Sequence, residues 1–308
     1  MTVPRHFLDL DHVNAVTLRD ILDDATVRKQ RRSCTGWVVP DDDSPLSGRL
    51  LAMVFENPST RTRVSFYVAM RQLGGEAIDL VGRDTQLGRG ESAADTARVL
   101  SRYADAIMIR TNTHADLGEM AAAASVPVIN GLTDHTHPCQ VMADVLTIEE
   151  KRGPIAGKVL AWCGAGNNMS HSWIHASARF DFELHLACPD GLGPDPKIVA
   201  WARRKGAKVV LDSDANEVVK GADVVMTDTW VSMKDHDEKR LRNLLRPYQV
   251  TRERMSLANA DALFLHCLPA HRGEEVTAEV IDSPRSAVWD EAENRIHAQK
   301  AILAWCLA

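Results

Sequence analysis

The chain has 308 residues, 45% hydrophobic and 25% charged, with a formal net charge of -6; this size suits two medium domains better than one large core. Mild acidity gives no electrostatic reason to expect nucleic acid or an anionic membrane as partner, so any anion site must be local. No apolar run is long enough to span a bilayer, the start MTVPRHFLDLDHV lacks a signal-peptide pattern, and Cys34, Cys139, Cys163, Cys188, Cys267 and Cys306 form no CxxC pair, so a cytoplasmic protein without a zinc cluster or disulfide framework is expected.

Short apolar runs alternate with amphipathic stretches, the rhythm of strand–helix units around parallel sheets. The turn-rich PDDDSPLSG (40–48) reads as a surface loop, and strands follow at 51–55, 77–80, 106–109 and 126–129. After the first strand a helix is predicted from a cap at Ser59 or Thr60 to about Leu73, ended by Gly74-Gly75, with Val64, Phe66, Val68, Met70 and Leu73 as its buried face. A long amphipathic helix opens at Pro138, where a first turn tolerates proline, and RGPIAGK (152–158) marks a domain boundary. Strands are then predicted at 159–163, 184–187, 208–211, 224–227, 262–266 and 287–289, with a charged interruption at 231–249 and a last helix over 297–307. The expected fold is α/β, two Rossmann-like domains each with a largely parallel central sheet flanked by helices.

NPSTRTR (57–63) carries the sharpest chemical signal. Pro58 ends the strand, and residues 59–62 fall in a first helical turn, where unsatisfied N–H groups and the positive end of the dipole point outward. Ser59, Thr60 and Thr62 add hydroxyls and Arg61 a guanidinium fork, which together make an anion site. A bare Ser-Thr-Arg reads more readily as an ordinary capped helix. Here, however, Arg61 and Arg63 both oppose the dipole and cost stability unless an anion offsets them.

Other residues admit two readings each. Arg110 ends a predicted strand at the edge where open α/β sheets place ligands, or is a salt-bridge partner. His137 and Gln140 can point to one spot at the start of the Pro138 helix; the metal alternative, Asp134, His135 and His137, lacks a further ligand set. WCGAGNNMSHS invites a dinucleotide reading, but Met169 replaces the third glycine of GxGxxG. Asp228 follows a strand and is commonly only a cap; Cys267 is a core thiol by default; Arg295 alone is a helix-terminal surface arginine.

NPSTRTR, TQLGRGES (85–92), DTARVLSRYADAIMIR (95–110), HPCQVMAD (137–144), DTWVSM (228–233), FLHCLPAHRGEEV (264–276) and DEAENRIHAQKAILAW (290–305) resemble segments of the aspartate/ornithine carbamoyltransferase family, in family order and over nearly the whole chain. The resemblance implies carbamoyl transfer without metal or organic cofactor. It implies a carbamoyl phosphate site of Ser59, Thr60, Arg61, Thr62, Arg110, His137, Gln140, Cys267, Leu268 and Arg295. Gln86 would reach into a neighbouring subunit's site, hence a homotrimer or a multiple of it with shared active sites. In that picture Arg110 reaches phosphate and carbonyl oxygen, His137 donates to that oxygen, and Gln140 holds the carbamoyl amide.

On the amine side the resemblance implies Asn168, Asp228, Ser232 and Met233, with Asp228 on the α-ammonium of ornithine and Cys267 beside the attacking δ-amine. Arg61, Arg110, His137, Asp228 and Cys267 would be catalytic. His-Cys-Leu-Pro at 266–269, where aspartate-type members carry His-Pro-Xaa-Pro-Arg, points to the ornithine type; Ala165 and Lys234 depart from that type's usual acidic residue and glycine. The implied domains are 1–150 for carbamoyl phosphate, completed by a helix at 290–308, and 151–289 for ornithine. The expected product is citrulline, in arginine metabolism. Rival readings are transfer to N-acetylornithine, N-succinylornithine or putrescine, a non-catalytic homologue, and a nicotinamide-dependent dehydrogenase.

Overall fold

The structure is a computed structural model that describes residues 3–32, 36–82, 90–231 and 237–308. The chain divides into two compact units, Met1–Leu146 together with Glu293–Ala308, and Thr147–Ala292. Each is an α/β layer structure with a wholly parallel sheet, as the alternating pattern predicts.

In the first unit β1 (Leu50–Phe55), β2 (Glu76–Val81), β3 (Ala106–Arg110) and β4 (Val128–Leu132) lie in the order β2-β1-β3-β4. Leu51 to Phe55 are all buried, the continuous apolar run of a parallel strand covered on both faces. Helices α1 (Ala15–Arg31), α2 (Thr60–Gln72), α3 (Ala93–Leu100) and α4 (His114–Ala123) belong to this unit, and α5 (Pro138–Arg152) leads out of it. The chain steps from β1 to β2 and then crosses back to β3, so its direction reverses between β1 and β3. Loops leaving neighbouring strands part at such a point and frame a ligand crevice. Phe55 pairs with Arg110, which sets the start of α2 beside the end of β3.

The second unit repeats the plan with β5 (Val159–Cys163), β6 (Glu183–Ala187), β7 (Val209–Asp212), β8 (Val224–Met226) and β9 (Leu263–Leu265) in the order β7-β6-β5-β8-β9. Its helices are α6 (Asn168–Phe180), α7 (Pro196–Arg204), α8 (Ala215–Val219), α9 (Glu238–Leu245), α10 (Arg252–Met255) and α11 (Ala278–Ile281), and α12 (Val288–Leu307) returns the chain to the first unit. One core packs Ala161, Cys163, Val225, Phe264, Val276 and Val288 together. The reversal here falls between β5 and β8. No helix among the described residues is long and apolar enough to cross a membrane.

Three expectations are corrected. Residues 287–289 are not a strand: Ser286 makes a single bridge to Phe264, and α12 begins at Val288 with Asp290 and Glu291 in its first turn, where the dipole favours acids. Val64 is 52% exposed, because the buried face of α2 runs through Phe66, Ala69, Met70 and Leu73, and Val64 stands about 200° away from Phe66 around a 3.6-residue turn. The 40–48 loop is not all surface, since Leu46 is buried and the Asp41 carboxylate turns inward to meet Lys300.

Candidate functional site

At the β1–β3 edge, Ser59 is the N-cap of α2 with φ -153° and ψ 105° and makes no side-chain capping bond, so the first-turn amides keep their donor capacity. Ser59 and Arg61 are half-buried, Thr60 exposed and Thr62 buried. Thr62 is the hub of the cluster. Its Oγ1 accepts from Arg110 Nη1 at 3.2 Å and from Arg295 Nη2 at 2.8 Å. With both acceptor directions used, its O–H remains as a donor. Arg295 Nη1 also donates to Gln140 Oε1, and Gln140 Nε2 donates to Asp144 Oδ1 at 2.7 Å. Thr62, Arg110, Gln140 and Arg295, drawn from α2, β3, α5 and α12, thus form one hydrogen-bonded group.

His137 lies just before α5 and is buried. Burial, and then the charges of Arg295, Arg110 and Arg61, hold its imidazole well below the usual 6.5, so it is neutral and adds no fourth charge. A neutral ring still has one N–H to give. The same three guanidiniums oppose a metal ion at His137. Chemically, the cluster offers three forks, a hydroxyl, an imidazole and a helix N-terminus to an anion with several acceptor oxygens.

Arg63 does not join it. Its Nε lies 3.2 Å from Asp79 Oδ2 and its guanidinium sits 5.4 Å over the Phe55 ring, so its charge is offset within the fold. Sequence reasoning also passed over Glu56. Its carboxylate accepts from Thr111 Oγ1 at 2.7 Å and from the Asn112 amide at 3.0 Å, while Asn57 Nδ2 donates to Asn112 Oδ1 at 2.9 Å. These bonds tie the loops after β1 and β3 together and fix Arg110 against α2. The available signal was an acid and an amide placed directly between a buried strand and Pro58.

At the β5–β8 edge, Gly164 takes φ +146°, and a Cβ on Gly166 would stand 2.2 Å from the Pro194 nitrogen. Asn167 caps α6 in a capping box with Ser170, and Asn168 is the first helical residue. Met169 is buried in the first turn. Asp228 follows β8. Its Oδ2 accepts from Asn167 Nδ2 at 2.8 Å, and its Oδ1 from the Thr229 amide at 2.8 Å and from the Cys267 thiol at 3.2 Å. Every one of these donors is neutral, so none of them offsets the charge of a carboxylate at this position.

His266 shapes the segment that presents Cys267. Its Nδ1 accepts from the Leu268 amide at 2.9 Å, which leaves the proton on Nε2, 3.2 Å from Glu275 Oε1. Leu268 is half-buried with φ +58°, a left-handed conformation rare for a branched side chain. The donor atoms of Asp228, His266 and Cys267 lie within 4.8 Å of one another, so these three could approach one cation. Ligation through His266 Nδ1 would first break the bond that shapes the Leu268 turn. Gln86, Ser232, Met233 and Lys234 lie outside the described residues.

Comparison with known proteins agrees along the chain. Residues 5–150 match a family described as aspartate/ornithine carbamoyltransferase, carbamoyl-P binding domain, and residues 156–306 its Asp/Orn binding domain. An ornithine carbamoyltransferase of Nitrobacter winogradskyi is 60% identical over 99% of this chain and 97% of that protein, and one of Rhizobium meliloti is 58% identical over 98% of each. Among solved structures, the ornithine carbamoyltransferase of Pyrococcus furiosus superposes with a TM-score of 0.92 at 48% identity, covering 98% of this chain and 96% of that one. The anabolic enzyme of Campylobacter jejuni gives 0.91 at 38%, with 98% of each covered. The chain belongs to the aspartate/ornithine carbamoyltransferase family.

Proposed function

We propose that the chain transfers the carbamoyl group of carbamoyl phosphate to the δ-amine of L-ornithine, giving L-citrulline and phosphate. The observation that carries the reading is the convergence of Arg110 and Arg295 on Thr62, beside a neutral His137 that feels the charges of Arg295, Arg110 and Arg61. The first unit then holds carbamoyl phosphate: the first-turn amides, Ser59, Thr60, Thr62, Arg61 and Arg295 take the phosphate oxygens, and Arg110 and His137 face the carbonyl oxygen. Gln140 holds the carbamoyl amide. The second unit takes ornithine, Asp228 and Asn168 facing its α-amino group, with Ser232 and Met233 completing recognition and Cys267 and Leu268 near the reacting centre.

The chemistry follows from these charges. The neutral δ-amine attacks the carbonyl carbon, a C–N bond forms, and the carbonyl oxygen gains the charge that Arg110 and His137 stabilise. The C–O bond to phosphate then breaks, and one proton is released overall. A lysine-like amine, with a reference pKa near about 10.4, must first lose a proton. The Cys267 S–H donates to Asp228, which turns the sulfur lone pairs outward as acceptors for an amine N–H. Catalysis is positioning and electrostatics, with no covalent intermediate on the thiol.

The assembly is read as a homotrimer or a multiple of it, with Gln86 completing a neighbour's site, in cytoplasmic arginine biosynthesis; particle mass by light scattering tests the assembly. Transfer to N-acetylornithine or putrescine is disfavoured, since the relatives matched over the full chain are named for ornithine. Purified protein should form citrulline only with both substrates and lose that activity in Arg61→Ala. Carbamoyl transfer that ignores ornithine refutes the reading.

A further inference from the structure

The acidic loop ahead of β1 begins at a buried ion cluster centred on Asp41. Lys300 Nζ lies 2.7 Å from Asp41 Oδ2, Arg32 Nη1 2.7 Å from Oδ1 and Arg28 Nη1 3.3 Å from Oδ2. The Lys300 side chain is 0% exposed and that of Asp41 11%. Burying an ammonium is costly, and apolar residues of similar volume often hold a helix equally well. A buried pair adds register, because its charge is satisfied at one placement of the helix and not at its neighbours.

Lys300 shares a face of α12 with Glu293 and His297, at spacings of three and four residues. Next to Glu293, Asn294 Oδ1 accepts from Lys29 Nζ at 2.7 Å. Arg295 stands between the two tethers and reaches the other way, to Thr62 and Gln140. Asn294 and Lys300 are about 9 Å apart along the helix axis, and a slip of one residue moves the helix about 1.5 Å. Such a slip breaks the Asp41 contact and takes the guanidinium out of reach of Thr62.

We propose that the Asp41–Lys300 pair, with Lys29–Asn294, sets the register of α12 and so positions Arg295 in the anion cradle. These residues touch no substrate; they act through Arg295. The inference rests on the carbamoyltransferase reading, and its test separates the two. In Lys300→Met and Asp41→Asn, KM for carbamoyl phosphate should rise roughly tenfold, as for a reacting group misplaced by a fraction of an ångström, with ornithine KM unchanged. In an Arg295→Gln background the same substitutions should not raise it further. A lower Tm with unaltered KM, or an equal rise in that background, overturns the inference. Asp41→Asn keeps the side-chain shape and covers the case in which Lys300→Met does not fold. A crystal structure of ligand-free Asp41→Asn needs no turnover: the Arg295 guanidinium should leave Thr62 by about 1 Å or more. An unmoved contact overturns the inference, whereas absence of citrulline formation by the unaltered chain strikes the functional reading alone.

Discussion

The two strand-edge crevices hold opposite charges by opposite means. At the β1–β3 edge cations are gathered around neutral groups, with Thr62 linking the Arg110 and Arg295 guanidiniums, Gln140 holding the second of them and His137 kept uncharged. At the β5–β8 edge a single carboxylate, Asp228, is surrounded by the neutral donors of Asn167, Thr229 and Cys267. Neighbouring cations repel one another, the more so when partly buried, and an anion relieves that repulsion. The neutral donors around Asp228 bring no positive charge to its carboxylate, which leaves that side for a cationic partner. One crevice therefore gains most from being filled, and the other gains discrimination.

The sharpest way to break this contrast is to remove a cation from the first crevice. Arg61→Ala should lower kcat/KM by about 10³-fold, in line with loss of a preorganised donor to developing charge; a change under about tenfold places the anion elsewhere. Next in size is Asp228→Asn, which keeps the shape and removes the charge. Its ornithine KM should rise by about 10²-fold, the scale of a lost charge-assisted contact, while KM for carbamoyl phosphate stays put. Parallel changes in both would dissolve the division of labour.

Smaller effects sharpen the account. Cys267→Ala should cost about tenfold in kcat, the scale of one weak acceptor; abolished turnover would favour a covalent role instead. The His137 prediction concerns stability. Its imidazole is held far below 6.5 in the folded state, so the unfolded chain takes up the proton first. The stabilising contribution is therefore full above pH 6.5 and is lost as pH falls below it, by about 1.4 kcal/mol per pH unit. His6, His114 and His297 are lowered too, His297 to about 3. Denaturant midpoints between pH 5 and 6.5 should thus fall less steeply in His137→Asn than in the parent; equal slopes would mean that the ring is charged when folded.

What could be read from the sequence was local in the chain. The strand–Pro–helix turn at Pro58 is set by residues within a few positions of one another, and the alternating rhythm carried both parallel sheets. What escaped depends on distant partners. Arg63 reads as a second donor until Asp79 and Phe55 come into view. Asp41 reads as a surface acid because Lys300 is 259 residues away. Residues 287–289 are apolar enough for a strand, yet pairing with β9 stops at Ser286, and acids just beyond favour a helix start. Val64 is apolar and inside a helix, yet its angle around the axis, set by the 3.6-residue turn, carries it away from the buried face through Phe66. Among the candidate site residues the structure brings Thr62, Arg110, Gln140 and Arg295 into one network and Asp228 and Cys267 into another. Glu56 and Asn167, which hold those networks in place, carry no motif of their own.

The most direct measurement is calorimetric titration of freshly dissolved carbamoyl phosphate into the protein without ornithine, beside the Arg61→Ala and Asp228→Asn variants. The account predicts one binding event per chain, lost in Arg61→Ala and unaltered in Asp228→Asn. Equal binding by all three proteins, or loss in Asp228→Asn alone, would contradict it.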